Sequence, residues 1–110
     1  IRQCLVPRTE IEALPITTPM NEVRKRFIDT NLSKIVVYEN SIDEIVGYVH
    51  QLDLLKRPTD IQSILHPIIA VPESMSATDL ITRFSKERKS IAWVVDEFGG
   101  TSGIVTMEDV

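Results

Sequence analysis

Cysteine is almost missing from this chain of 110 residues, and the single one, Cys4, cannot form an intrachain disulfide. A reducing compartment is the natural reading. Cys4 sits beside Leu5 and Val6 with no base near it in sequence, so it reads as a small packing residue and not a nucleophile. No apolar run approaches the ~20 residues that span a bilayer, and no signal peptide is visible, so the segment reads as soluble. An excess of basic residues is lacking too. The net charge is -4 and the pI about 5.1, which argues against nucleic acid as a partner. The two histidines, His50 and His66, are not at metal-ligand spacing, and no Cys/His cluster exists. No nucleophile, base and acid can be assembled, so catalysis is not expected.

What the chain does contain is internal repetition. The first unit runs through Pro19–Phe27, Ile35–Tyr38, Ile45–Val49 and Gln51–Leu55; the second runs through Ser76–Phe84, Ala92–Val95, Gly103–Val105 and Met107–Val110. Each opens with an amphipathic helix. Met20, Val23, Phe27 and Ile28 share one predicted face, as do Ala77, Leu80, Ile81 and Phe84. Thr18 before Pro19 reads as a cap followed by the first helical residue. Ser76 with Asp79 reads as a capping pair. Two short apolar strands joined by turn residues follow in each unit, which predicts a hairpin.

The register supports duplication. Val23 matches Leu80, Phe27 matches Phe84 and Ile35 matches Ala92, all 57 positions apart. After the hairpin, Gly47 matches Gly103 and Asp53 matches Asp109, both 56 apart. The one-residue change falls in the turn, where insertions are tolerated. Lys56–Asp60 reads as the linker, and Ile68–Val71 as the opening strand of the second unit. Each unit alone would expose an apolar face, so the two are expected to pack together.

Two copies of strand, hairpin and strand, with Gly103-Ile104-Val105-Thr106-Met107-Glu108-Asp109 closing the second, resemble a tandem pair of CBS motifs, the Bateman module. The run Val94-Val95-Asp96-Glu97-Phe98-Gly99-Gly100-Thr101-Ser102-Gly103 that leads into it is similar to the second motif of the CorC/HlyC family, hemolysin-like membrane proteins linked to magnesium and cobalt transport. Val6-Pro7-Arg8-Thr9-Glu10 resembles that family's lead-in to the first motif. The resemblance implies an α/β (α+β) fold with two small sheets and flanking helices packed by pseudo-twofold symmetry. It divides the chain into residues 1–57, lead-in and first motif, and 58–110, linker and second motif. The chain starts without Met and stops inside what reads as a helix, so it is expected to be a fragment of a larger protein.

In function, the resemblance implies a regulatory module that binds AMP or ATP, forms a homodimer, and acts on a transmembrane domain of the same protein from the cytoplasmic face. Magnesium could enter with the ATP phosphates. By the same resemblance Asp109 takes the ribose hydroxyls and Thr106 a phosphate, at a helix start whose N–H groups suit an anion. Pro7, Arg8, Thr9 and Leu32 complete that site, with Arg8 on phosphate. Thr106-x-x-Asp109 is also an ordinary capping pattern, and an unliganded site would cap its own helix. In the first repeat, Asp53 survives but His50 replaces the hydroxyl residue, so His50 and Asp53 form a degenerate second site. Gly99-Gly100 reads as a turn, since the Lys-Ser/Thr of a P-loop is missing. The alternative reading is a dimerisation module with vestigial clefts.

Overall fold

In a computed structural model, which describes residues 5–107, seven strands and two helices follow one another along the chain. They are β1 (Val6–Pro7), β2 (Ala13–Pro15), α1 (Met20–Thr30), β3 (Lys34–Glu39), β4 (Ser41–His50), β5 (Ile69–Pro72), α2 (Ala77–Glu87), β6 (Ile91–Val95) and β7 (Thr101–Thr106). Short 3-10 segments lie at Arg8–Glu10, Gln51–Lys56 and Gln62–Ile64. The chain forms two compact units, Glu12–Pro67 and Ile1–Ile11 with Ile68–Val110. The units thus divide the chain differently from the expected boundary at 57/58: the lead-in belongs in space with the second repeat.

The first-repeat unit, Glu12–Pro67, has a three-stranded sheet of order β2-β3-β4. Strands β2 and β3 are parallel, β3 and β4 antiparallel. The parallel strand β2 had no counterpart in the sequence reading. Ile35, Val36 and Val37 are all buried, the pattern of a strand covered on both faces. Met20, Val23 and Phe27 of α1 pack with Leu14, Ile35, Val37, Val49, Ile61 and Ile64 in one core. Ile28 does not join them and is 79% exposed. Successive residues turn about 100° around a helix, and that step carries Ile28 past the edge of the stripe. The helix also starts one residue later than expected, with Pro19 at the cap; the Thr18 hydroxyl donates to the Pro15 carbonyl at 2.7 Å instead.

The second-repeat unit has the sheet order β1-β7-β6-β5. Strands β5 and β6 are parallel, β6 and β7 antiparallel. The core gathers Val71, Leu80, Phe84, Ala92, Val94 and Val105. Ile81, one position past Leu80, is 43% exposed for the same angular reason as Ile28. Ser76 caps α2, its Oγ accepting from the Asp79 N–H at 3.1 Å, as the sequence predicted.

A third repeated element accompanies helix and hairpin. In the second-repeat unit Val6 pairs with Ile104. In the first-repeat unit His66 pairs with Tyr48, each donating its N–H to the other's carbonyl at 2.8 and 3.0 Å. Leu5-Val6-Pro7 and Leu65-His66-Pro67 are therefore equivalent segments, each docked beside a matching glycine. A Cβ on Gly103 would lie 2.2 Å from the Val6 carbonyl oxygen and 2.8 Å from Leu5 Cγ. One on Gly47 would lie 2.3 Å from the His66 carbonyl oxygen and 2.9 Å from Leu65 Cδ1. Gly47→Ala is expected to destabilise the protein by about 1–3 kcal/mol, because backbone must move to admit the methyl. Urea denaturation of wild type and variant measures the shift, and an unchanged midpoint would contradict this packing.

Candidate functional site

Both repeats turn the same corner after their last strand. In the second, β7 ends at Thr106 and the Met107 N–H donates to the Ser90 carbonyl at 2.7 Å. In the first, β4 ends at His50 and the Gln51 N–H donates to the Ser33 carbonyl at 2.8 Å. Thr106 is half-buried at its corner, and the chain enters a helical turn at Met107. Asp109 lies outside the described residues.

The strand register separates Arg8 from Thr106. Pro7 sits opposite Gly103, and the chain runs on toward the start of β7. There an Arg8 Nη1 donates to the Thr101 carbonyl at 3.5 Å. Thr101 and Thr106 stand five residues apart on one strand, about 16 Å at the usual rise. Pro7 thus lies opposite the middle of β7, three residues from Thr106, while the Arg8 guanidinium is turned toward the start of that strand, away from Thr106. Leu32, 40% exposed just beyond α1, belongs to the other compact unit.

The first-repeat corner is fully described. His50 Nδ1 accepts from the Leu52 N–H at 3.1 Å and caps the 3-10 segment Gln51–Lys56. Asp53 in that segment is buried, at 7% exposure, and both its oxygens are engaged. Its Oδ2 lies 2.5 Å from His66 Nε2 and its Oδ1 3.2 Å from Lys56 Nζ. A carboxylate only accepts, so Nε2 donates. Burial pushes the Asp53 carboxyl up, but the hydrogen bonds and positive charges of His66 and Lys56 outweigh it and hold it below its ordinary value. Tyr48 stacks on the His66 ring at 5.1 Å between centroids. Burial, then the Asp53 charge, pushes its phenol up.

His66 is the residue that sequence reasoning passed over. The signal was present in Leu5-x-Pro7 and Leu65-x-Pro67, 60 positions apart. That spacing differs from the 57 of the helices, so it escaped the repeat comparison.

The hairpin Asp96–Gly100 holds its own amides: Asp96 Oδ1 accepts from the Phe98 and Gly100 N–H groups at 2.9 and 2.8 Å. Gly99 takes a φ of +83°, as glycine readily does. The pair Gly99-Gly100 is therefore a turn, and Asp96 occupies the place an anion would need. Trp93 Nε1 donates to Thr101 Oγ1 at 2.8 Å across β6 and β7. Among the described residues no group of three or more His, Cys, Asp or Glu is arranged to hold a metal ion. No described helix is long and apolar enough to cross a membrane.

Comparison with known proteins agrees with the duplication. The family model described as CBS domain matches twice, at residues 1–60 and 59–110. Hemolysin C of Brachyspira hyodysenteriae is 39% identical over the whole chain, which spans 42% of that protein. The CBS domain of a bacterial CNNM/CorC family Mg2+ transporter, solved in complex with ATP, superposes with a TM-score of 0.94 at 35% identity, covering 98% of this chain and 81% of that one. A CBS-domain pair from Klebsiella pneumoniae with bound AMP gives 0.78 at 25% identity, covering 96% and 89%.

The lowered Asp53 carboxyl gives a testable pH dependence. Its stabilising contribution is complete above the ordinary value of 3.8 and is lost as pH falls through the lower folded value. Near neutral pH, Asp53→Asn is expected to lower stability by about 1–2 kcal/mol, since solvent screens the exposed Lys56 arm. Thermal melts of wild type and variant should converge as the solution is acidified below 3.8, and a gap independent of pH would refute the assignment.

Proposed function

Because the chain belongs to the CBS domain family, as two tandem copies, we propose that it is a regulatory module that binds an adenine nucleotide through its second repeat. The observation that carries this is the corner after β7, where Thr106 opens a turn with Asp109 three residues on. Thr106 with the following N–H groups takes phosphate, and Asp109 accepts from the ribose hydroxyls. The nucleotide complexes of the CNNM/CorC and Klebsiella pneumoniae domains support the choice of ligand. Arg8, donating to Thr101 at the far end of β7, has no phosphate role beside Thr106 in this reading. ATP would bring magnesium on its own phosphates.

Occupancy of the site would control a CorC-like magnesium or cobalt transport protein, from the cytoplasmic side of its membrane. Such control requires the nucleotide to bind two states of the module with different affinity. Titration calorimetry with AMP, ATP and ATP plus magnesium tests the site. Saturable binding that falls at least about tenfold in Asp109→Ala, a loss of about 1.4 kcal/mol, and little in Arg8→Ala is the expected result. No binding by any of the three would end this reading.

A dimerisation role has its own observation. Ile28, Leu52 and Leu55 are 79%, 63% and 80% exposed on the first-repeat unit. Their two segments are joined by Arg24, whose Nη2 donates to the Leu54 carbonyl at 3.4 Å. Large apolar side chains left exposed on two segments that touch are candidates for an interaction site. A second copy of the module would cover them. Light scattering after chromatography should show a dimer for the wild type and a monomer for Leu55→Lys; an unchanged mass would exclude this face.

A further inference from the structure

The two repeats carry the same aspartate, yet they differ in what stands before it. Asp53 and Asp109 are equivalent, as are Gly47 and Gly103, and Tyr48 and Ile104. By the docking of the lead-in and linker segments, the partner of Tyr48 is His66 and the partner of Ile104 is Val6. One position therefore holds an imidazole in the first repeat and an isopropyl group in the second.

The consequence for the carboxylate follows from donor counting. A vicinal diol binds a carboxylate by donating to its oxygens. In the first repeat Oδ2 already accepts from His66 Nε2, and Oδ1 faces Lys56 Nζ. His66 is held in that pose from three sides: by the paired backbone bonds to Tyr48, by the stacked Tyr48 ring, and by Leu65 packed against Gly47. Lys56 is 72% exposed at its side chain and can swing away, whereas His66, 41% exposed, is held by the Tyr48 stack and by the backbone pairing beneath it. Val6 carries no side-chain donor, so the equivalent position of the second repeat has nothing comparable to offer.

We propose that His66 is the specificity-determining residue that closes the first repeat to ribonucleosides, by donating to Asp53 where a ribose diol would. This rests on the reading of Asp109 as the ribose contact in the second repeat. The histidine acts as a built-in ligand. It fastens the linker end at Leu65-His66-Pro67 to the 3-10 segment Gln51–Lys56. A ligand entering the first repeat would have to displace His66, and it would find His50 where the second repeat has Thr106.

Equilibrium dialysis with adenosine and with 2′-deoxyadenosine tests this on the whole chain, with circular dichroism confirming the fold of each variant. His66→Val installs the residue of the equivalent position. It is expected to raise adenosine binding from one to two per chain, with no second 2′-deoxyadenosine, and Asp53→Asn added to it should return the count to one. His66→Gln keeps a donor and should stay at one. If folded His66→Val remains at one while the wild type binds one, the proposal is overturned. If the wild type binds none and His66→Val binds one, the second-repeat reading fails and the closing role of His66 stands. A second measurement covers a His66→Val chain that does not fold. Proton NMR of the wild type should show a slowly exchanging His66 Nε2 proton that disappears in Asp53→Asn, and its absence from the wild type overturns the proposal.

Discussion

At Gly47 and Gly103 a neighbouring backbone passes so close that one methyl group would overlap a carbonyl oxygen. Such an approach demands glycine for space alone, because neither residue needs a left-handed backbone. Much else depends on it. In the second-repeat unit it seats Val6 and Pro7 as the edge strand β1 and so directs Arg8 toward Thr101. In the first-repeat unit it seats His66 against Tyr48, and from that anchor the imidazole reaches Asp53. Two glycines thus decide which charged groups meet which acceptors.

The same framework used twice gives two chemically different corners. Helix, hairpin and docking segment are shared, and the differences lie in single side chains hung on them. His50 caps its own turn with a ring nitrogen where the second repeat has the Thr106 hydroxyl. Asp53 is satisfied within its own unit, so its charge is neutralised at home and does not reach outward. A buried carboxylate with two cationic or donor partners is a stable end state, since removing either partner leaves charge uncompensated. The frame is shared by the two repeats, and positions 6 and 66 are among those where they differ, Val in one and His in the other.

The sequence made the periodic features legible. The burial of Phe27 and Phe84, the hairpins, and the Ser76 cap all follow from spacing and local propensity. What escaped was either at the edge of a period or outside it. Ile28 and Ile81 are apolar and adjacent to core residues, and hydropathy alone could not show that one more residue rotates them outward. Strand β2 is three residues long and contains a proline, so no pattern could emerge from it. The His66–Asp53 contact joins residues from a linker and a turn, and neither type nor spacing marks such a pair until the fold brings them together. For the candidate site, Thr106 was legible as a corner residue, but the strand direction that parts it from Arg8 is a matter of register, which short strands do not encode by themselves.

The way the chain is shared between the units also sets an order of assembly. Glu12–Pro67 is continuous, so every partner it needs is available once Pro67 has been synthesised. The other unit draws β1 from before the first-repeat unit and β7 from after it. Closing that loop carries an entropic cost that grows with the logarithm of its length. Vectorial synthesis therefore favours the first-repeat unit as the earlier folding body, because β1 gains its partner only when β7 has been made.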